Sequence, residues 1–141
     1  MTFLLSLLLA GAGVLPETGT PVPLPSGHAV IFHDMIEDAP RDGSSTSTVR
    51  FRFVAPQIGG DTPLPYEDVA ADMDLLCRKV AAPRLESRAI VHDAGAGNAK
   101  DLRIVISMME QPVAFGETTP GIRQYFEAYS LEDGRCIWEA F

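Results

Sequence analysis

Residues 66–83 read YEDVAADMDLLCRKVAAP, and this stretch decides the fold. Its apolar residues recur at the spacing of one helix face. Acidic residues come first and basic residues last, an order that suits the helix dipole at both ends. A proline cannot continue the hydrogen-bond ladder, so we predict one long helix that begins at Tyr66 and is stopped by Pro83. The predicted inward face consists of Tyr66, Val69, Ala70, Met73, Leu76, Cys77 and Val80.

The chain contains two cysteines, Cys77 on the predicted helix and Cys136 near the C-terminus. Both occupy predicted core-facing positions, and in an exported chain such a pair favours a disulfide. The bond would close a loop of about 60 residues, which is worth roughly 4 kcal/mol in the chain-entropy model. Two free buried thiols are the alternative. A catalytic thiol has no support, because the sequence has no Cys-x-x-Cys motif and no histidine nearby.

Composition limits the function classes. The chain has 141 residues, of which 46% are hydrophobic and 21% charged, so it can bury the core of one domain. A formal net charge of -8 argues against binding to nucleic acid and to anionic lipid. A basic periplasmic protein remains a candidate partner, although acidity also serves solubility alone.

The N-terminus resembles an export signal. An apolar run at residues 3–9 is followed by Ala10-Gly11-Ala12, so we predict a signal peptide at residues 1–12 with cleavage after Ala12. The alternative is a buried helix of the mature fold, and the run is too short to span a membrane. A proline-rich linker is predicted at residues 13–27. The expected location is therefore periplasmic or secreted, with no stable membrane span after cleavage.

Alternating apolar residues and turn residues predict the strands of residues 28–141. The runs are His28–Ile36, Thr48–Val54, Leu102–Met109, Gln124–Leu131 and Arg135–Phe141, with shorter candidate pieces at Ala89–Val91 and Val113–Phe115.

The last two strands flank Asp133-Gly134, a dipeptide typical of a tight hairpin turn. A two-residue turn would pair Leu131 with Cys136 and Tyr129 with Trp138. A three-residue loop would shift this register by one residue.

These elements predict an α+β fold: a single antiparallel sheet with one main helix packed on one face, in the order β-β-α-β-β-β. Residues 28–141 would form this single domain. The predicted sheet core, which would face the helix, consists of Val49, Phe51, Phe53, Leu102, Ile104, Ile106, Leu131 and Trp138.

The sequence predicts no catalytic, cofactor-binding or metal-binding residues. His28 and His33 lie an odd number apart on a predicted strand, so they would point to opposite faces. The sequence has no H-E-x-x-H motif and no zinc-type cysteine pairing, so these two histidines and His92 are interpreted as satisfied or solvated side chains. Residues 95–100 lack the spacing of a phosphate-binding loop. Asp68 and Asp72 lie one helical turn apart and are interpreted as a solvated face rather than a cation site.

Several short blocks resemble a known family. They are RFRFVAP at 50–56, AADMDLLC at 70–77, IVISMM at 104–109, PVAFG at 112–116, FEAY at 126–129 and CIWEAF at 136–141. Together they resemble a family of small exported alphaproteobacterial proteins grouped as a domain of unknown function. The resemblance implies a two-cysteine periplasmic domain and supplies no catalytic residues.

We therefore expect an exported, non-catalytic binding or accessory module. One alternative is an acidic inhibitor of a basic enzyme such as a lysozyme, because opposite charge would steer that association. The other alternative is a small enzyme with an unrecognised site.

Overall fold

The computed structural model describes residues 14–38, 40, 46–91, 102–117 and 119–140, with the backbone alone at 88–91. Strands β1 to β5 are Ile31–Asp38, Ser47–Val54, Leu102–Met109, Gln124–Glu132 and Arg135–Glu139. A continuous helical segment lies between β2 and β3. It consists of α1 (Tyr66–Leu76), a π-helical turn (Cys77–Ala81) and α2 (Ala82–Val91). A 3-10 turn at Pro56–Ile58 precedes it.

The five described strands form one sheet in the order β1-β2-β3-β4-β5. This sheet and its helical segment confirm the α+β class, but the prediction of a wholly antiparallel sheet is wrong. Strand β2 pairs with β3 in parallel, and the other neighbours are antiparallel. The helical segment is the crossover that a parallel pair needs, because a tight turn cannot join parallel strands.

Pro83 does not end the helix, which continues to Val91. The π turn just before it explains how the proline fits. The Ala82 N–H bonds to the carbonyl of Cys77, five residues back, so the regular ladder is already interrupted where a proline lacks a donor and needs room for its ring. The strand predicted at Ala89–Val91 is also wrong, since these residues belong to α2.

One face of the sheet, which we call the helix face, carries the core. Met73 and Leu76 of α1 are fully buried in the same cluster as Phe51 of β2 and Ile106 of β3, so the predicted packing of helix on sheet is confirmed for these residues. Trp138 is the exception. Its side chain lies on edge strand β5 and is 58% exposed, so its prediction as a core residue is wrong.

The segment predicted as a proline-rich linker packs on the domain through Leu15, Val22 and Leu24. The Val22 N–H donates to Val30, and the Phe32 N–H donates to Thr20. Val22 and Leu24 are buried in the core cluster. The segment thereby covers the beginning of β1, which starts at Ile31 rather than His28.

The C-terminal hairpin has the predicted two-residue turn. Asp133 and Gly134 both have positive φ, 49° and 76°, as a type I′ turn requires. Leu131 pairs with Cys136, and Tyr129 pairs with Trp138. The Cys77–Cys136 disulfide is also confirmed, with Cα atoms 6.3 Å apart.

The piece considered at Val113–Phe115 is not a strand. Residues 95–100, which were compared with a phosphate-binding loop, and His92 lie outside the described residues.

Candidate functional site

The opposite face of the sheet, which we call the arginine face, carries Arg50, Arg52, Ser107 and Phe126. Arg50 and Arg52 alternate with the core residues of β2, and Ser107 pairs with both Arg52 and Phe126 across neighbouring strands. The sequence pattern predicts a solvated face here. Instead Arg52 is only 7% exposed, because the segment that follows β3 lies over it.

Arg52 joins three parts of the fold. Its Nε and Nη2 donate to the two carboxylate oxygens of Asp34 on β1, at 2.7 and 2.6 Å, and its Nη1 donates to the carbonyl of Val113 at 2.7 Å. This two-pronged pair fixes the plane of the guanidinium. The Val113 contact holds the segment after β3 against the sheet, so Arg52 has a structural role.

Arg50 lies beside Arg52 and is more accessible. Its Nε donates to Asp38 at 3.3 Å, and its guanidinium carbon lies 5.5 Å from the centre of the Phe115 ring. The same ring lies 5.9 Å from the guanidinium of Arg52. A guanidinium over an aromatic face is attracted by the quadrupole of the ring, so the two arginines together hold Phe115 in place.

These residues enclose a pocket of about 390 Å³, which we call the arginine pocket. Its wall combines cationic and amide donors with apolar aromatic surface. It is lined by Arg50, Arg52, Ser107, Ala114, Phe115, Gly116, Glu117, Gln124 and Phe126.

Ser107 is the unusual residue of this pocket. It is 1% exposed, and its hydroxyl has no hydrogen-bond partner among the described residues. A buried hydroxyl without a partner costs about 1–3 kcal/mol, so such groups are rare and need an explanation. A ligand in the pocket would supply the missing partner.

A second cluster lies on the helix face, directly behind the pocket wall. Glu127 follows Phe126 on β4 and points to the other side of the sheet. It accepts hydrogen bonds from the Tyr66 hydroxyl and from Trp138 Nε1, the latter at 2.6 Å. The Tyr66 and Tyr125 rings lie 5.7 Å apart. We call Tyr66, Tyr125, Glu127 and Trp138 the Glu127 cluster.

Two tyrosines on this side have raised pKa values. The hydrogen bond to Glu127 is the main cause of the raised pKa of Tyr66, followed by desolvation and the negative charges of Glu127 and Glu67. Burial is the main cause of the raised pKa of Tyr129, with the carboxylates of Asp74 and Glu127 adding to it. Both shifts favour the neutral phenol.

Asp72 does not belong to a solvated face, so that prediction is wrong. Its side chain is buried, and Oδ2 lies 2.6 Å from His28 Nδ1. This pair ties α1 to the segment before β1. Asp68 is exposed, so the two carboxylates do not share a surface. His33 lies at the bulge in β1, with Nε2 3.8 Å from Asp34.

Sequence reasoning missed the residues of both sites. Arg50 and Arg52 were visible only as the polar half of an alternating strand, which is the usual signal for solvent exposure. A hydroxyl inside the apolar run IVISMM was the available signal for Ser107. Glu127 between Tyr125 and Tyr129, on the inward side of β4, was the signal for the second cluster.

Within the described ranges, no three histidine, cysteine or acidic side chains converge to hold a metal ion. None of the described helices combines the length and apolar character that crossing a bilayer requires.

Residues 7–141 match the family described as "Family of unknown function (DUF6497)". The match covers nearly the whole sequence, so the chain belongs to this family, and the resemblance to a family of unknown function is confirmed. The comparisons with curated proteins and with solved structures found no match.

Proposed function

We propose that this member of the family is an exported, periplasmic, non-catalytic module that binds a small anionic ligand with an apolar part in the arginine pocket. The main support is the buried hydroxyl of Ser107, which has no hydrogen-bond partner among the described residues. Ser107 lines the same pocket as Arg50.

The chemistry of the pocket wall supports this ligand class. Arg50 keeps an accessible guanidinium whose remaining N–H groups can bind a carboxylate. Ser107 and Gln124 add neutral hydrogen-bonding groups. Phe115 and Phe126 are about half exposed and offer ring faces to an apolar group. Ligand sites in proteins commonly combine apolar surface with a few placed polar groups.

The residues that line the pocket support the non-catalytic part of the proposal. The described residues around Ser107 include no histidine, so a serine nucleophile would lack its usual general base. Glu117 is the carboxylate residue that lines the pocket. A measured turnover with a pocket-bound substrate would contradict this part and favour the alternative of a small enzyme.

Export is supported by the leader pattern and by the disulfide. An oxidised Cys77–Cys136 pair is typical of oxidising compartments. We propose cleavage after Ala12, which would leave Val22 and Leu24 free to pack as they do in the fold. The intact mass of protein recovered from the native periplasm should correspond to a chain that begins at Gly13. A product that begins at Met1 would contradict export.

Ligand binding is tested by titrating isotope-labelled protein with phenylacetate while backbone amide shifts are recorded. We expect saturable shifts around Ser107 and Phe115, and weaker binding of the neutral analogue 2-phenylethanol. Arg50→Gln should weaken phenylacetate binding by at least about tenfold, because it removes a charged hydrogen-bond donor.

Arg103→Gln is the matched control. Arg103 lies on the same face of the sheet, pairs with Glu139 at 3.3 Å and does not line the pocket, so this variant should bind phenylacetate as the wild type does. The proposal fails if neither probe gives saturable shifts, or if the neutral alcohol binds as well as phenylacetate.

A further inference from the structure

The carboxylate of Glu127 is buried without a cationic partner among the described residues. Glu127 is 6% exposed, and its two donors are the neutral Tyr66 hydroxyl and the neutral Trp138 indole. Neutral donors satisfy hydrogen bonding but leave the charge uncompensated, and a buried uncompensated charge is costly. A carboxylate can accept about four hydrogen bonds, so this one keeps acceptor capacity for a further group.

Two aromatic rings flank this carboxylate and reach solvent. Trp138 is 58% exposed and Tyr66 is 46% exposed, although each donates a hydrogen bond to Glu127. The negative faces of aromatic rings attract cations, and tryptophan does so best. The cluster therefore combines a negative charge with accessible aromatic surface.

The charges around the cluster are mainly negative. The negative charge of Glu67 contributes to the raised pKa of Tyr66. The charges of Asp74 and Glu127 both contribute to the raised pKa of Tyr129. The positive charge of Arg78 has the opposite effect and lowers the pKa of Tyr129, but Arg78 pairs with Asp74 at 2.7 Å. The local field thus favours a positively charged ligand, as does the net charge of the chain.

We propose that Glu127, Tyr66 and Trp138 form a binding site for an alkylammonium cation. The ammonium group would approach the carboxylate of Glu127 and contact the faces of the two rings. A free amine and the lysine side chain of a basic partner protein share this chemistry. The site lies on the opposite face of the sheet from the arginine pocket, so it does not depend on the function proposed above.

The single tryptophan of the chain belongs to the site, so its fluorescence reports binding directly. The probes are choline, n-butylammonium and the uncharged analogue of choline, 3,3-dimethylbutan-1-ol. We expect both cations to give saturable fluorescence changes, with the neutral alcohol at least about tenfold weaker. Tighter binding of n-butylammonium would identify a lysine-like primary ammonium as the preferred form, and tighter binding of choline a quaternary one.

Glu127→Gln should weaken both cations by at least about tenfold. Glu132→Gln removes the same charge from an exposed position on β4 and should leave binding unchanged. Thermal unfolding of both variants establishes that they are folded. The comparison of choline with its neutral analogue uses the wild type alone, so it remains decisive if Glu127→Gln does not fold. Equal binding of the neutral alcohol, equal binding by a folded Glu127→Gln variant, or no saturable change with either cation would overturn the proposal.

Discussion

The two faces of the sheet use alternate residues of the same strands in opposite ways. On the helix face, Phe51 and Ile106 are fully buried against α1 in a continuous apolar core. On the arginine face, the next residues along these strands, Arg52 and Ser107, are almost as buried, but charge pairs and a hydrogen-bonded segment cover them. Burial alone therefore does not distinguish the two faces.

The two faces differ in whether their buried side chains find all their interaction partners within the fold. Apolar packing on the helix face needs no further partner, since its stabilisation follows from the area removed from water. On the arginine face, Arg52 is well hydrogen-bonded, whereas the Ser107 hydroxyl has no partner among the described residues. We infer that the apolar core of the helix face stabilises the fold and that the arginine pocket on the other face binds a ligand, and the predictions below test this difference between core and pocket.

The largest effect is expected on the helix face, at the disulfide. Cys77→Ala should lower the free energy of unfolding by about 2–5 kcal/mol, the usual cost of losing a native disulfide from a small secreted domain. The bond joins residues 59 apart in sequence, so its loss frees a long loop in the unfolded chain. Denaturant unfolding of the two proteins measures the difference.

The double variant Cys77→Ala with Cys136→Ala is the control. Because both substitutions break one bond, the double variant should lose about as much stability as the single variant. A double variant that loses clearly more stability than Cys77→Ala would mean that the two sulfurs contribute separately. Recovery of both cysteines as free thiols from periplasmic protein would contradict the bond.

The next largest effect is expected on the arginine face. Arg52→Gln removes the pair with Asp34 and the donor to Val113, which should cost about 2–3 kcal/mol of unfolding free energy. Asp34 is partly exposed and can regain water, which keeps the cost below that of a fully buried pair. Arg50→Gln is the matched control and should cost less than about 1 kcal/mol. Similar losses for both variants would contradict the distinct roles of the two arginines.

The third prediction concerns alkaline pH and returns to the helix face. The pKa of Tyr66 is raised above its ordinary value of 10.0, and burial raises the pKa of Tyr129 as well. Above about pH 10 the unfolded chain loses phenolic protons that the native state keeps, so the unfolding free energy should fall as pH rises. Below that pH the contribution is fully present.

Tyr66→Phe removes one of these groups and should make the alkaline loss of stability less steep. Unfolding measured at a series of pH values tests the slope, and absorbance titration of the three tyrosines follows ionisation directly. An unchanged slope in Tyr66→Phe would contradict the coupling between its hydroxyl and Glu127.

Local chemistry made part of this fold predictable from sequence. Asp133-Gly134 determines a tight turn through the backbone conformation that it permits, and the pairing of Leu131 with Cys136 follows from the turn length. The spacing of Val69, Met73 and Leu76 identifies a buried helix face without knowledge of its partner.

The rest depends on contacts between distant segments. Alternation in β2 and β3 is the same for parallel and antiparallel pairing, so the pattern could not predict their relative direction. Pro83 continues the helix because a π turn precedes it, and a propensity rule does not anticipate that turn. Arg52 is buried by Asp34 and Val113, which lie 18 and 61 residues away. Trp138 is exposed because it lies on the edge strand.

The smallest effect on stability, with the opposite sign, is expected at Ser107. Ser107→Ala removes a buried hydroxyl that has no partner in the described part of the chain. We expect the free energy of unfolding to stay unchanged or to rise by up to about 1 kcal/mol.

The same variant should bind phenylacetate more weakly, because the hydroxyl would form a hydrogen bond only when the pocket is occupied. Ser130→Ala, a half-buried position on the same face, is the control and should leave binding unchanged. A clear loss of stability in Ser107→Ala would show that its hydroxyl is satisfied within the fold, and the proposed ligand site in the arginine pocket would then lose its main support.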